Sequence, residues 1–567
     1  MEKMSISTFS SCTTFLLLII VICSISFPHV HASSSSPSKP TSSDALCDMT
    51  PYSTFCKSQF PQNKSTNIHD HGRLSIQKSL STSTVLLSAI NRHLSSKSSL
   101  LSQTAVFALQ DCQDLVTTNV DLLSNILQTM KNSDALQGSQ YEDSNTWLSA
   151  TITCLQTCLD GLKAVLSASP VASELSPSLT DGSMLSGVSL ALLKYGWKPS
   201  TGKSRFLGEL FHLSMAKYAR KSLWNAKFYE STNGRKLLQI GGMSVSITKT
   251  VVVNPDGSGN YATINDAILA APNNTKAGKG YYLIRVVAGV YQEYISIASN
   301  KMYLMMVGDG INKTIITGNH SVDDGWTTFD SPTFAVTAQG FVAINITFRN
   351  TAGAIKHQAV ALRSGADLST FYKCSFEGYQ DTLYTHSMRQ FYRECDIYGT
   401  VDYIFGNAAV VLQMCNIYSR LPMQGQFNTI TAQGKVDINQ NTGTSIQDCN
   451  ILAASDLALS NATVNTYLGR PWKNYSTTVV MESVMDKLIN PAGWAPWSGD
   501  FALSTLYYAE YNNTGLGSNT AKRVTWPGYH VITKSSHVSN FTVSNFISGD
   551  SWLPATGVPF LGGFLYS

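Results

Sequence analysis

Charged side chains are scarce in this chain: only 13% of its 567 residues are Asp, Glu, Lys or Arg, and the formal balance is +4. Beside 43% hydrophobic and 10% aromatic residues, that scarcity excludes a disordered polyelectrolyte and leaves material for a sizeable core and more than one domain. Positive charge is also missing where a polyanion surface would need it. Residues 239–567 carry 20 basic and 21 acidic groups, so the excess lies upstream, mostly between Lys194 and Lys236, and nucleic acid is not an expected partner. There is no CxxC pair and no HxxxH spacing, the arrangements that put zinc ligands together, so neither a metal nor a cofactor is expected. Beyond the N-terminus no apolar run approaches the roughly 20 residues that a membrane span requires.

The one long apolar run, Phe15 to Ile22, is too short to span and is followed by Val30-His31-Ala32, the small-residue pattern of a signal-peptidase site. The expectation is a leader over residues 1–32 and an exported protein. Sequons at Asn63, Asn273, Asn312 and Asn461 fit export and glycosylation. Of the eleven cysteines, Cys12 and Cys23 fall in the leader, leaving 11 − 2 = 9, so at least one exported thiol is unpaired.

Residues 33–43 form a Ser/Pro spacer with too few apolar groups to fold. From 44 to 194 the apolar period is helical: Ile76, Leu80, Leu87, Ile90 and Leu94 share one face, as do Leu109, Cys112, Val116, Leu123, Leu127 and Met130. With Trp147 to Leu162 and Met184 to Leu193, four amphipathic segments predict an all-α four-helix bundle, and Cys47 and Cys56 are placed to staple its N-terminal arm. A domain of this kind with no role beyond folding is the plainer alternative. Residues 195–238 break the pattern with Gly196, Pro199 and Gly202 and, counting Lys194 at the edge, bring ten Lys or Arg. They read as a basic linker whose end, Arg235-Lys236-Leu237-Leu238, is a candidate processing site for a protease.

From 239 to 567 helical periodicity is nearly absent apart from Tyr261 to Ala271. Short β-rich runs such as Tyr282 to Val287, Met302 to Val307, Phe341 to Phe348 and Val410 to Gln413 predict an all-β half. A sandwich would satisfy those runs, but a phased repeat favours a solenoid. Asp381 and Asp402 each follow a cysteine, Cys374 and Cys395, by seven positions in segments that echo one another, and Cys415-Asn416-Ile417 and Cys449-Asn450-Ile451 continue the echo. The first steps are 395 − 374 = 21 and 415 − 395 = 20 residues, a solenoid period. Equivalent positions on stacked coils lie about 4.8 Å apart, so the two carboxyl groups should face each other, one keeping its proton while the other is anionic. On spacing alone, Cys395 pairs as well with Cys374 as with Cys415.

Five segments in order, Gly289-Val290-Tyr291-Gln292-Glu293, Gln358 to Leu362, Gly378 to Tyr384, Tyr398 to Asn407 and Leu468-Gly469-Arg470-Pro471-Trp472, closely resemble the signature segments of plant pectin methylesterases. The resemblance covers residues 245–567 and implies a right-handed parallel β-helix that demethylates homogalacturonan in the cell wall. It implies Asp402 as the nucleophile that forms an acyl-enzyme and Asp381 as the acid and then the base. Gln380 is implied as the oxyanion donor, with Gln358 contacting substrate. Arg470 is implied as the cation paired with Asp402, leaving Asp381 as the protonated partner, while Trp472 and Thr328 match substrate contacts. Tyr291 and Glu293 read as structural. The plainer readings are an Asx-turn aspartate for either acid, a polar ladder for the glutamines, a surface ion pair for Arg470 and a coil-capping role for Trp472.

Ala108 to Cys112 and Thr157 to Gly161, with Cys47 and Cys56, look like the pectin methylesterase inhibitor family. That resemblance implies disulfides Cys47–Cys56 and Cys112–Cys158 and leaves Cys154 outside the pattern. In the second half the resemblance favours Cys395–Cys415, with Cys374 and Cys449 free. The expected partners are methyl-esterified homogalacturonan, the chain's own bundle, separate inhibitor proteins and a processing protease, with no membrane and a monomeric state. A glycoside hydrolase on the same scaffold is the rival enzyme reading, since two carboxylates about 5 Å apart also suit a retaining glycosidase. A wall-binding or inhibitor protein is the non-enzymatic one.

Overall fold

The computed structural model describes residues 40–61, 65–97, 101–131, 133–166, 169–197, 227–230, 236–240 and 243–565. The expected leader, most of the spacer, most of the basic linker and Arg235 lie outside the described residues.

Four long helices make the first half: α1 (Ile68–Lys97), α2 (Gln103–Met130), α3 (Gly138–Leu166) and α4 (Pro170–Gly196). Their starts follow local rules. Ser102 accepts a hydrogen bond from the Ala105 N–H at 3.2 Å, and Ser169 caps α4 with Pro170 in its first turn, where proline's missing N–H costs nothing. Helix α1 packs on α2 and α4, and α3 closes the ring against the same two. Ile76, Leu123, Ile126, Met130, Leu148, Ile152, Leu190 and Leu193 fill one end of the bundle. On α1 the buried face runs through Leu86 and Ile90, with Leu87 half-buried, a slight rotation from the face expected. Ahead of α1, two short helices at Ser43–Cys47 and Ser53–Gln59 are joined by the Cys47–Cys56 disulfide, and Cys112–Cys158 ties α2 to α3.

The second half is a right-handed parallel β-helix of three sheets, with eight, seven and thirteen strands. The seven-stranded sheet runs in chain order through β1 (Ile295–Ile297), β2 (Phe334–Val336), β3 (Leu362–Ser364), β4 (Leu383–Thr385), β5 (Ile404–Gly406), β6 (Asn428–Gln433) and β7 (Thr466–Gly469). Leu362, Leu383 and Ile404 stack in register and point inward with no exposure. The period of 21 residues holds from β3 to β5 and lengthens on either side as loops are inserted. One corner of the coil repeats a left-handed residue, at Asn345, Lys373, Glu394, Met414, Asp448 and Glu482, with φ between 51° and 59°. Each costs about 1–2 kcal/mol and is held by the parallel ladders on both sides.

Directly after four of those corners lie Cys374, Cys395, Cys415 and Cys449, all buried and all free thiols. The expected Cys395–Cys415 disulfide is absent. In-register coils carry their side chains in parallel, so neighbouring sulfurs stay roughly a coil spacing of 4.8 Å apart instead of the about 2.0 Å of a bond. Each thiol instead has two backbone carbonyls within reach of its single proton, Cys395 with Phe371 O at 3.4 Å and Arg393 O at 3.3 Å. At the N-terminal edge the parallel rule is broken. Lys236–Ile240 pairs antiparallel with Met243–Val253, and Lys227–Glu230 pairs antiparallel with Lys236–Ile240 in turn, so the end of the expected linker extends the thirteen-stranded sheet.

Candidate active site

The site is made by the turns leading into β4 and β5. Asp381 and Asp402 each stand two residues before those paired strands and both are left-handed, with φ of 61° and 52°. The Asp381 N–H donates to Val401 O at 3.0 Å, which locks the two turns in the same phase of adjacent coils. Their carboxyl groups therefore sit about a strand spacing apart, roughly 4.8 Å. Two strained aspartates in consecutive turns exceed what a structural Asx-turn needs, and strain of this kind gathers where geometry is fixed for chemistry.

The two acids have different surroundings. Asp402 is gripped by Arg470, whose Nε and Nη2 donate to its two oxygens at 2.8 and 2.7 Å, a bidentate ion pair. The Thr429 hydroxyl donates to Asp402 Oδ1 at 2.6 Å and accepts from the Asp402 N–H at 2.9 Å, fixing the carboxylate from the next coil. For Asp381, burial pushes the carboxyl well above the usual carboxylate range, and the Asp402 charge pushes the same way against a smaller opposing pull from Arg470. Asp381 is thus pushed towards the protonated form beside an ion-paired neighbour.

Asp381, Asp402, Gln380, Gln358, Thr328, Arg470 and Trp472, all seven residues singled out in the sequence, line one cavity of about 780 Å³. The glutamines come from the turns one residue before Asp381 and at the equivalent edge of the preceding coil. Trp472 reaches the cavity over Gly434, where a Cβ would lie 2.8 Å from the indole. Gly406 permits the close stacking of β4 and β5, since a Cβ there would meet Thr385 O at 2.1 Å. Tyr291 and Glu293 stand elsewhere: Tyr291 donates to Val287 O at 2.8 Å, and Glu293 accepts from the Ile264 and Asn265 N–H groups at a helix start.

Sequence reasoning missed several lining residues. Tyr384 and Phe405 stack at 4.1 Å and stand three places after Asp381 and Asp402, a spacing that carried their signal. Phe329, Trp326 and Trp497 also line the cavity, and the Trp497 ring lies 4.5 Å from the Arg470 guanidinium. These three come from two loops and Thr429 from the start of β6, and none has a local signature.

The cavity's opposite wall is the bundle. Thr104, Ala108 and Asp111 of α2 and Thr157, Asp160, Gly161, Ala164 and Val165 of α3 face the catalytic turns. Thr327 donates to Asp111 Oδ2 at 2.5 Å, Lys473 pairs with Asp160 at 2.7 Å and Arg389 with Asp143 at 2.6 Å. Phe107 stacks on Trp326 at 4.5 Å. Apolar packing is continuous across the boundary, with Leu109, Cys112, Cys154 and Leu155 in one cluster with Phe329, Val360, Tyr384 and Phe405. His386, buried at this seam and hydrogen-bonded to Thr157 at 3.0 Å, is pushed down to about 3 by desolvation and is neutral.

Comparison with known proteins agrees in both halves. The family described as "Pectinesterase" matches residues 250–550 and the "Plant invertase/pectin methylesterase inhibitor" family matches 41–192. The chain is similar to the "Probable pectinesterase/pectinesterase inhibitor 20" of Arabidopsis thaliana, with 51% identity over 97% of this chain and 99% of that one. It is also similar to "Pectinesterase 2" of Citrus sinensis, with 50% identity over 80% and 82%. Among solved structures it resembles the pectin methylesterase from carrot, 56% identical with a TM-score of 0.54, a match that covers 98% of the carrot chain and 55% of this one. The chain belongs to the pectinesterase family of carboxylic ester hydrolases, in the form that carries an inhibitor-like helical bundle ahead of the β-helix.

Proposed function

We propose that this chain is exported to the cell wall and hydrolyses methyl esters of homogalacturonan through an acyl-enzyme on Asp402. The observation that carries the reading is the inequality of the two acids, one ion-paired to Arg470 and its neighbour pushed towards the protonated form in the same cavity. An Asp402 oxygen attacks the ester carbonyl, and the Gln380 amide N–H donates to the resulting oxyanion with Gln358 beside it. The C–O bond to methanol breaks as Asp381 delivers its proton to the leaving oxygen, leaving a mixed anhydride on Asp402. Asp381, now a carboxylate, takes a proton from water as that water attacks the anhydride, and collapse returns Asp402 and the free galacturonate. Trp472 offers an apolar face to a sugar ring and Thr328 a polar edge.

The same reading gives the bundle an autoinhibitory role, because Asp111, Thr157 and Asp160 occupy the wall through which a polymer would enter. Cleavage in the basic linker near Lys236 would free the cleft. Methanol release and new reducing ends are measured on methylated pectin with the full chain, the released β-helix half and its Asp402→Asn variant. The expected result is methanol without reducing ends, faster from the released half and abolished in the variant. Reducing ends would favour a glycosidase, and equal rates before and after cleavage would remove the autoinhibitory role.

A further inference from the structure

Two buried carboxamides at the seam, Asn407 and Gln440, are aimed at the bundle by the β-helix itself. Asn407 directly follows β5, and Gln440 sits in the loop between β6 and the strand Gly443–Gln447. The Gln433 side-chain oxygen accepts the Lys435 and Thr477 N–H groups at 3.0 and 2.8 Å, so its NH2 end is left to donate to Asn407 Oδ1 at 3.0 Å. That turns the Asn407 NH2 towards the bundle. Gln440 is oriented in the same way, its oxygen accepting the Val436 and Asp437 N–H groups at 3.1 Å each, while its NH2 donates to Ser149 O at 2.8 Å. Both NH2 groups converge on one oxygen, Thr153 Oγ1 of α3, at 2.8 Å from Asn407 and 3.2 Å from Gln440.

The Thr153 hydroxyl that fills this place donates to Ser149 O at 3.1 Å while it accepts from the two amides, a pattern that any sugar hydroxyl can reproduce. One turn further along α3, about 6 Å, Thr157 meets His386 Nε2 at 3.0 Å. The helix therefore presents a row of hydroxyls to the β-helix. The recess beneath them is lined by Thr153, His386, Asn407 and Gly434, and it shares Thr157, Asp160, Tyr384 and Trp472 with the catalytic cavity. Removing α3 would join the two into one cleft. Asn407 then stands beyond Trp472, whose ring offers an apolar face to a sugar, and both amides stay held by contacts within the β-helix alone. Neutral donors fixed in this way suit a neutral oxygen and cost little to order on binding.

We propose that Asn407 and Gln440 form a distal substrate subsite, which binds a ring hydroxyl of the polymer on the Trp472 side of the reacting ester, and that Thr153 stands in for that hydroxyl in the full chain. The inference rests on the esterase reading above. A hydroxyl is present on every sugar of the polymer, so this subsite selects for chain length and not for the pattern of esterification.

The released β-helix half is suited to the test, since the match to the carrot structure takes in 98% of that chain within 55% of this one, and the β-helix folds there without a bundle. Methanol release is measured on fully methyl-esterified oligogalacturonates of increasing length, which carry no charge for a variant to repel, with wild type, Asn407→Ala and Asn407→Asp. Wild-type kcat/KM should rise with length as the distal subsite fills. Asn407→Ala should lose about fivefold on the longest oligomers, through KM, as a lost hydrogen bond predicts, and the loss should shrink as the oligomers shorten. Asn407→Asp keeps the oxygen that Gln433 holds and should recover part of the loss, because a sugar hydroxyl can turn and donate to a carboxylate whereas an ester carbonyl cannot. The same loss at every length marks a structural role and overturns the proposal, and so does the absence of recovery in Asn407→Asp. A wild type whose kcat/KM is flat with length overturns it without any variant having to fold. Failure of wild type to release methanol at any length would instead sink the esterase reading.

Discussion

At the scale of the residue, the site works by making two identical side chains unlike. Asp402 receives two donors from Arg470 and one from Thr429, whereas Asp381 is buried against an anion. Replacing Asp402 by Asn removes the charge that, after burial, does most to raise Asp381. The Asp381 carboxyl should then titrate at lower pH than in the wild type, followed by carboxyl infrared or NMR signals. An unmoved titration would show that the two groups do not sense each other. Since the acid role proposed for Asp381 needs the protonated form, the alkaline limb of the released β-helix half's pH profile should report that group losing its proton. Thr429→Ala removes the hydroxyl that aims the Asp402 carboxylate and should lower kcat by about tenfold with KM little changed, in line with the roughly 1.5–3 kcal/mol of a hydrogen bond to a charged group. A change in KM alone would assign Thr429 to substrate binding.

At the scale of the element, the coil repeat decides what cysteine chemistry is possible. Residues 40–567 contain nine cysteines, four of them in the two bundle disulfides and five free. Thiol titration of the denatured, unreduced protein from residue 40 onward should count five, and a count of three would restore a Cys395–Cys415 bridge. Core positions of the same coils carry the fold. Ile404, with no exposure between Leu383 and Thr431, should cost about 2–5 kcal/mol on change to Ala, read as a lowered midpoint in denaturant. The 21-residue phase was legible because equivalent residues recur where no loop intervenes. The lengthened coils on either side carry Phe329, Trp326 and Trp497, whose spacing follows no period.

At the scale of the whole molecule, the seam between bundle and β-helix is rich in acids raised by desolvation, among them Asp111, Asp114, Asp143 and Asp330. Asp111, which faces Thr327, Asp330, Arg363 and Asp114, is pushed up to about 8 by burial. A carboxyl whose value is higher docked than free takes up a proton on docking. The bundle should therefore hold best in acid and weaken as pH rises from the ordinary carboxylate range towards about 8. Relative to the released β-helix half, methanol release by the full chain should rise between about pH 5 and pH 8, and Asp111→Asn should flatten that rise. A ratio independent of pH in the wild type would count against the docked acids.

The sequence by itself determined the two architectures, the phase of Asp381 and Asp402, and the company of Gln380, Gln358 and Arg470, because apolar period and coil repeat are local properties written at fixed spacing. Only the tertiary structure decided that α2 and α3 close the cleft, that four cysteines stack as thiols, and that Thr327 and Asp111 meet across 216 residues of chain. Those outcomes depend on how separate surfaces fit and exclude water, and complementarity between distant surfaces leaves no periodic trace in either one.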